Sequence, residues 1–151
     1  MINTPNNPTG AVYTKEQLTE LAELACKHDF YIISDEVYEK LIYEGKKHFC
    51  VASISEEVKE RTVVINGVSK AYSMTGWRLG YLIGPESVIE AAKKVHDFLT
   101  VGAAAPLQEA AVTGLKFGPE YYKWLKDLYT EKRDYLCGRL EQMGLPHTTP
   151  Q

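Results

Sequence analysis

Five residues of this sequence carry functional groups that could act together in one reaction. Lys70 follows an apolar run, and an amine in such a place can act as a nucleophile. Asp35 and Tyr38 follow an earlier apolar run and supply a carboxylate and a phenol. Asn7 adds an amide, and Arg78 adds a guanidinium whose planar fork suits phosphate. Together these groups are suited to hold and use a phosphorylated organic cofactor.

Apolar runs predict the strands that would position these residues. Residues 30–34 and 62–66 are nearly continuous apolar stretches, which is typical of parallel strands buried on both faces. Residues 80–84 form a third, shorter stretch that ends at Gly84 and Pro85. Asp35 then lies at the carboxyl end of a strand, where open α/β sheets bind their ligands.

Periodic segments predict the helices. Thr14 to Gln17 fits a capping box, and Leu18, Leu21, Ala22 and Ala25 repeat at helical spacing until residues 28–29. Further helices are expected over residues 85–98, 103–117 and 119–143. The last would be about 37 Å long, which is unusual within one small domain. The alternation of strands and helices indicates an α/β fold.

At these motifs the chain resembles the class I/II aminotransferases of pyridoxal phosphate (PLP) fold type I, the aspartate aminotransferase superfamily. The motifs are Asn-Asn-Pro-Thr-Gly at residues 6–10, Ser-Asp-Glu-Val-Tyr at 34–38, and Ser69-Lys70 followed eight residues later by Arg78-Leu79-Gly80. The resemblance runs from Asn3 nearly to the last residue. It implies that residues 1–118 are part of a mostly parallel-sheet large domain, and that residues 119–151 are a long interdomain helix and the start of a small-domain connection.

The resemblance assigns roles to the residues. Lys70 would form the Schiff base with PLP and then act as general base and acid. Asp35 would keep the pyridine nitrogen protonated, through a charge-assisted hydrogen bond. Tyr38 and Asn7 would donate to the cofactor's phenolate oxygen, and the family register selects Asn7 over Asn6.

The phosphate contacts implied by the resemblance are Arg78 and the hydroxyl of Ser69. Some family members carry a serine three residues before the lysine, where this chain has Gly67. We expect no metal site, because Cys26, Cys50 and Cys137 are far apart and include no CxxC pair.

The implied reaction moves an amino group from an amino acid to a 2-oxo acid. We expect this chain to be the middle of such an enzyme and to be inactive alone, since the family's phosphate loop and ring-stacking aromatic would precede it. The arginine that binds the substrate carboxylate would follow it. Family members work as dimers, and exposed sheet edges favour pairing, so we expect a homodimer or higher self-association.

Three alternatives stay open. A PLP-dependent carbon–sulfur lyase or a cyclopropane-forming synthase uses the same fold and lysine. A non-enzymatic PLP-binding regulatory module is a second alternative, although no basic DNA-binding segment is visible. A generic α/β interaction domain with accidental motif matches is the third.

Composition and charge exclude other classes of protein. The 151 residues are 44% hydrophobic and 25% charged, as in an ordinary globular domain. The net charge of −3 gives no indication of a nucleic-acid partner, and no stretch is long enough for a membrane span. With no signal peptide visible and an odd number of cysteines, we expect a cytoplasmic protein.

Several other side chains are expected to be structural. His28, His48, His96 and His147 are each expected to be exposed and inert. Trp77 is expected in the core, Glu36 in a partly buried structural role, and the aromatic residues of the last helix in an interface stripe.

Overall fold

The computed structural model describes residues 1–43 and 45–151, which form an α/β structure around a four-stranded, mostly parallel sheet. The strand order follows the sequence, and β1 to β3 run parallel while β4 is antiparallel to β3. The strands are β1 (Ile2–Asn3), β2 (Ile32–Asp35), β3 (Thr62–Gly67) and β4 (Gly80–Ile83). The α/β class and the mostly parallel sheet are confirmed.

Helix α1 (Lys15–His28) connects β1 to β2 and carries the predicted capping box. The Thr14 hydroxyl accepts a hydrogen bond from the Gln17 backbone N–H, and the Gln17 side-chain oxygen accepts one from the Thr14 N–H. These two bonds satisfy backbone donors that a helix N-terminus otherwise leaves unpaired. Leu18, Ala22 and Ala25 are buried, as their spacing predicts.

The hydrophobic core lies where α1 covers the sheet. Its buried members come from α1, β2, the 3-10 turn Val51–Ser53 and the short helix α2 (Glu56–Lys59): Leu18, Ala22, Ala25, Ile32, Val51 and Val58. This packing fixes the carboxyl ends of β2 and β3 relative to each other.

The second half of the chain is helical. A short helix α3 (Val68–Ala71) follows β3, and a 3-10 turn (Thr75–Trp77) precedes β4. Helices α4 (Glu86–Thr100), α5 (Ala105–Leu115) and α6 (Pro119–Gln142) complete the chain. The long final helix agrees with the prediction in length and position.

The sheet differs from the predictions in three respects. β1 was not predicted. β4 was expected to be a buried parallel strand, but it pairs antiparallel with β3 and is exposed along its length. β2 was expected to be buried on both faces, but Ile33 is 41% exposed while Ile32 and Ser34 are buried. The prediction holds best for β3, where Thr62, Val63 and Val64 are all buried.

Within residues 1–43 and 45–151, no helix has both the length and the apolar character to cross a membrane. The same residues contain no cluster of three or more histidine, cysteine or acidic side chains that could hold a metal ion.

Candidate active site

The candidate site lies at the carboxyl ends of the three parallel strands. Asn3, Asp35 and Ile65 are in register across β1, β2 and β3. The chain segments that leave this edge are the Asn-Pro turn, the turn that carries Tyr38, and helix α3 with Lys70. Because β4 is antiparallel and Gly80 pairs with Gly67, the Arg78 turn lies at this edge as well, so all the segments with predicted site residues meet one edge of the sheet.

Asn7 and Tyr38 are in direct contact. The Asn7 Nδ2 donates a hydrogen bond of 3.2 Å to the Tyr38 hydroxyl oxygen. The Asn7 backbone N–H in turn donates to the side-chain oxygen of Asn3, at the end of β1. The Tyr38 hydroxyl keeps its own hydrogen free to donate to a further acceptor.

The side chains of the two neighbouring asparagines have different hydrogen-bond partners. Asn6 is committed to its own turn, because its side chain donates to Asn3 and accepts from both the backbone and the hydroxyl of Thr9. The Asn7 side chain instead points to Tyr38. The two side chains therefore have different partners, and the role expected of Asn7 stays a prediction.

Lys70 lies against the same tyrosine. Its Nζ is 5.4 Å from the centroid of the Tyr38 ring, within cation–π range. The Lys70 carbonyl accepts hydrogen bonds from the backbone N–H groups of Tyr72 and Ser73, which fixes the end of α3. No described carboxylate pairs with the ammonium, so it is available to a ligand.

Asp35 ends β2 with one carboxylate oxygen occupied. Its Oδ1 accepts from the Val37 backbone N–H at 3.2 Å, and its Oδ2 accepts no hydrogen bond from the described residues. The residue is half-buried. A partly desolvated carboxylate with a free oxygen can bind a cationic donor.

Ser69 and Arg78 are not joined to each other or to Lys70 by any contact in the described part of the chain. The half-buried Ser69 hydroxyl has no hydrogen-bond partner among the same residues. Arg78 is exposed, has a left-handed backbone (φ 52°), and its Nη1 donates to the Thr75 carbonyl at 2.9 Å. The structure thus brings Asn7, Tyr38 and Lys70 together, and Arg78 lies at the same sheet edge, two residues before Gly80, which pairs with Gly67.

Close packing against the neighbouring strand explains why a glycine stands at position 67. A Cβ at this position would lie 2.8 Å from the Leu79 carbonyl oxygen and 3.1 Å from the Gly80 Cα. A serine there would need the β3–β4 pair to shift.

A cavity of about 290 Å³ adjoins the site, with Asn7, Tyr38, Tyr43 and Tyr129 in its wall. A larger groove of about 450 Å³ lies between β4 and α4 and contains none of the predicted site residues. Of these two, the smaller cavity is the one lined by predicted site residues, Asn7 and Tyr38.

A buried polar cluster beside Asp35 was missed by the sequence analysis. Glu36 is 2% exposed, accepts a hydrogen bond from the Ser34 hydroxyl, and lies 2.7 Å from His48 Nε2. Burial and the Glu36 carboxylate raise the pKa of the neighbouring Cys50 thiol from 9.0 to about 11. His48 was expected to be exposed, which is wrong: its side chain is 11% exposed, and its Nε2 lies within hydrogen-bond distance of the buried Glu36 side chain. The only signal in the sequence was Glu36 itself, directly after a strand.

Trp77 also differs from the prediction. It was expected in the core but is 38% exposed, because it lies on the 3-10 turn before β4 rather than under the sheet. Glu36 is buried and hydrogen-bonded, in agreement with its predicted structural role.

Comparison with known proteins identifies the family. The whole chain, residues 1–151, matches the family "Aminotransferase class I and II". It is 45% identical over 141 residues to the aspartate aminotransferase of Bacillus sp. (strain YM-2), a match that covers 93% of this chain and 34% of that protein. It is 43% identical to the aromatic-amino-acid aminotransferase 2 of Thermococcus litoralis, over 100% of this chain and 39% of that protein.

Solved structures agree with this assignment. A double mutant of Thermus thermophilus aspartate aminotransferase superposes with a TM-score of 0.89 at 42% identity, covering 99% of this chain and 39% of that one. The N-succinyldiaminopimelate aminotransferase of Mycobacterium tuberculosis superposes with a TM-score of 0.93 at 31% identity, with the same coverage. The chain belongs to the class I and II aminotransferase family. It spans a little over a third of the length of the relatives it matches.

Proposed function

We propose that the full-length protein containing this chain is a PLP-dependent aminotransferase that moves an amino group from an amino acid to a 2-oxo acid. One observation carries the proposal: Lys70 Nζ lies 5.4 Å from the ring centroid of Tyr38, whose hydroxyl accepts from Asn7. The family resemblance gives these three residues to one cofactor, and they meet at one edge of the sheet.

The residues present fit PLP. The Oδ2 of Asp35 and the hydroxyl of Ser69 have no hydrogen-bond partner among residues 1–43 and 45–151, so both are available to a ligand. Arg78 uses one N–H on Thr75 and keeps further guanidinium donors for a phosphate. Asp35 thus offers an acceptor for a protonated ring nitrogen, and Ser69 and Arg78 offer donors for an anion.

In this proposal Asp35 holds the proton of the ring nitrogen, and Asn7 and Tyr38 orient the cofactor through its phenolate oxygen. Ser69 and Arg78 bind its phosphate. Bound PLP supplies an electron sink for negative charge at the substrate's α-carbon. Lys70 would hold the cofactor through its Nζ, and its amine would be the group that moves the substrate's α-proton.

The larger context is also part of the proposal. Residues 1–118 belong to the cofactor-binding large domain, and residues 119–151 are the linking helix and the start of the small-domain connection. The protein works as a homodimer in the cytoplasm, and the 151-residue chain alone is inactive. The covered share of the relatives, 34% and 39%, supports the view that residues outside this chain complete the site. The three unpaired cysteines support a reducing compartment.

The test uses the purified full-length protein with PLP, 2-oxoglutarate and, in turn, aspartate, tyrosine and alanine as amino donors. We expect one donor at least to yield its 2-oxo acid together with glutamate. Lys70→Ala should lower this rate by about 100-fold or more, because it removes the proton-transferring group. Lys59→Ala is the matched control, since Lys59 is an exposed residue of α2 that pairs with Glu56.

Two results would contradict the proposal. One is release of pyruvate, ammonia and a thiol from a cysteine conjugate without any amino transfer, which would indicate a lyase. The other is PLP binding without either reaction, which would indicate a regulatory module.

A further inference from the structure

Helix α6 contacts both chain segments that carry the central residues of the site, and it does so through one side chain, Tyr122. Tyr72 lies two residues beyond Lys70, and its hydroxyl is 2.9 Å from the Tyr122 hydroxyl. Lys40 lies two residues beyond Tyr38, and its Nζ is 5.3 Å from the centroid of the Tyr122 ring. Tyr122 thus contacts Tyr72 and Lys40, each of which lies two positions after a site residue.

Several aromatic contacts accompany the hydrogen bond between Tyr72 and Tyr122. The Tyr72 ring is 6.1 Å from the Tyr122 ring, edge to face, and 6.4 Å from the Tyr121 ring, stacked. A Cβ at Gly114 on α5 would lie 3.3 Å from the Tyr72 ring, so no side chain separates the two. Burial and the bond to Tyr122 raise the pKa of the Tyr72 phenol, so this phenol stays protonated at neutral pH.

These contacts form a closed chain of neighbouring residues around the site. Lys70 Nζ lies over the Tyr38 ring, Tyr38 is joined through the backbone to Lys40, and Lys40 lies over Tyr122. Tyr122 bonds Tyr72, whose backbone N–H donates to the Lys70 carbonyl at the end of α3. Contacts of α6 therefore reach both the Lys70 segment and the Tyr38 segment.

We propose that Tyr122 on the long helix is a positioning residue for Lys70 and acts through the Tyr72 hydroxyl. The position of α6 then determines how the Lys70 side chain is oriented toward the cofactor. The inference rests on the proposed PLP-dependent function. The inference goes beyond that function because it gives α6 an influence on the chemistry of Lys70, which α6 reaches through Tyr72.

The test is a pH titration of the visible absorbance of the full-length protein with PLP bound, which follows the proton on the Lys70–cofactor linkage. We compare the unmodified protein with Tyr72→Phe, Tyr122→Phe and the double variant. Tyr135→Phe is the matched control, because Tyr135 lies on the same helix and is 72% exposed. Other titratable groups that face the pair are Tyr81 on β4, Glu39 and Lys40 after Tyr38, and Tyr121 on α6, and none of the variants removes them.

We expect each single variant to move the titration midpoint by about 0.5 to 1 pH unit in the same direction, the equivalent of one neutral hydrogen bond. The double variant should move it no further than either single variant, because all three lack the same bond. The control should leave it unchanged.

The inference is overturned if the variants lower the thermal unfolding temperature but leave the midpoint unchanged, since the pair is then structural only. Additive shifts in the double variant would also overturn it, because the two hydroxyls would then act separately. If the unmodified protein has no visible band with PLP, the proposed function itself fails, and this inference with it.

Discussion

At the scale of single residues, Tyr38 connects the groups of the site. It accepts from the Asn7 amide, and the Lys70 ammonium lies over its ring. The three residues are far apart in the sequence, and only the end of the parallel sheet brings them together. The same edge holds Asp35 with one free carboxylate oxygen. The site therefore consists of short-range contacts at segments that the sheet positions.

The two asparagines of the Asn-Pro turn should respond differently to truncation. We expect Asn7→Ala to weaken PLP binding by about 10-fold, the loss of one hydrogen bond that orients the cofactor, with little change in stability. Asn6→Ala should instead destabilise the fold by about 1–2 kcal/mol, because it removes three hydrogen bonds within the turn. The measurements are the PLP dissociation constant and urea unfolding of the full-length protein. Equal effects of the two variants on PLP binding would contradict the assignment of Asn7.

Cys50 should make the stability depend on pH in the alkaline range. Its pKa is raised from 9.0 to about 11 by burial and by Glu36, whereas the unfolded thiol titrates near its ordinary value. Between these values the unfolded state binds fewer protons than the folded state, so this contribution to stability is full below about pH 9 and falls as the pH rises toward 11. The difference in unfolding free energy between the unmodified protein and Cys50→Ala should shrink over that range. A constant difference would show that the thiol is not perturbed.

At the scale of elements, the pair of Glu36 and His48 attaches the loop that ends at Cys50 to the end of β2. Both side chains are nearly buried, at 3% and 11% exposed. His48→Ala would leave the Glu36 carboxylate buried with only the Ser34 hydroxyl and the Cys50 thiol as neighbours. Leaving a buried polar group without its hydrogen-bond partner commonly costs about 1–3 kcal/mol.

We therefore expect His48→Ala to lower the unfolding free energy by about 1–3 kcal/mol. His28→Ala is the control, because His28 is an exposed residue in the last turn of α1 and should change stability by less than about 0.5 kcal/mol. Chemical denaturation of the full-length protein measures both. Similar small losses in the two variants would contradict a structural role for the pair.

Elements with a strong local pattern could be predicted from the sequence, and elements that depend on distant neighbours could not. The capping box at Thr14 fixed the start of α1, and the length of the apolar and aromatic pattern fixed α6. β1 has only two residues, too few to show a period. The direction of β4 depends on how the chain turns over residues 68–79, and an apolar run is compatible with either direction.

The site shows the same division. The sequence predicted that Asp35 ends a strand and that Lys70 follows one, and the structure adds that Asn7, Tyr38 and Lys70 are in contact. His48 was missed because its partner is 12 positions away, on a loop with no periodic pattern. The roles of Ser69 and Arg78 remain predictions, because the described structure joins neither of them to the other site residues.

At the scale of the whole molecule, large apolar surfaces are open to solvent. Helix α4 has no buried residue, and the exposed apolar side chains of α4 and β4 include Leu82, Ile83, Val95, Phe98 and Leu99. Exposed apolar patches of this kind mark surfaces that other protein segments cover. In the proposed full-length enzyme, residues outside this chain or a second subunit would cover them.

We expect the 151-residue chain on its own to self-associate, because β4 is an exposed edge strand next to the apolar α4. Light scattering after gel filtration should give a mass larger than the 17.0 kDa of one chain. Replacing Phe98 and Leu99 with Glu should reduce that mass. A monomer at micromolar concentration before any substitution would contradict this expectation.

The central claim is that Lys70 is the residue that binds PLP covalently. The most direct measurement is to incubate the full-length protein with PLP, reduce it with borohydride, digest it, and locate the cofactor by mass spectrometry. The account predicts one stoichiometric adduct on the peptide that contains Lys70, and none on this peptide in Lys70→Ala. An adduct spread over surface lysines, or one concentrated on another lysine, would contradict it.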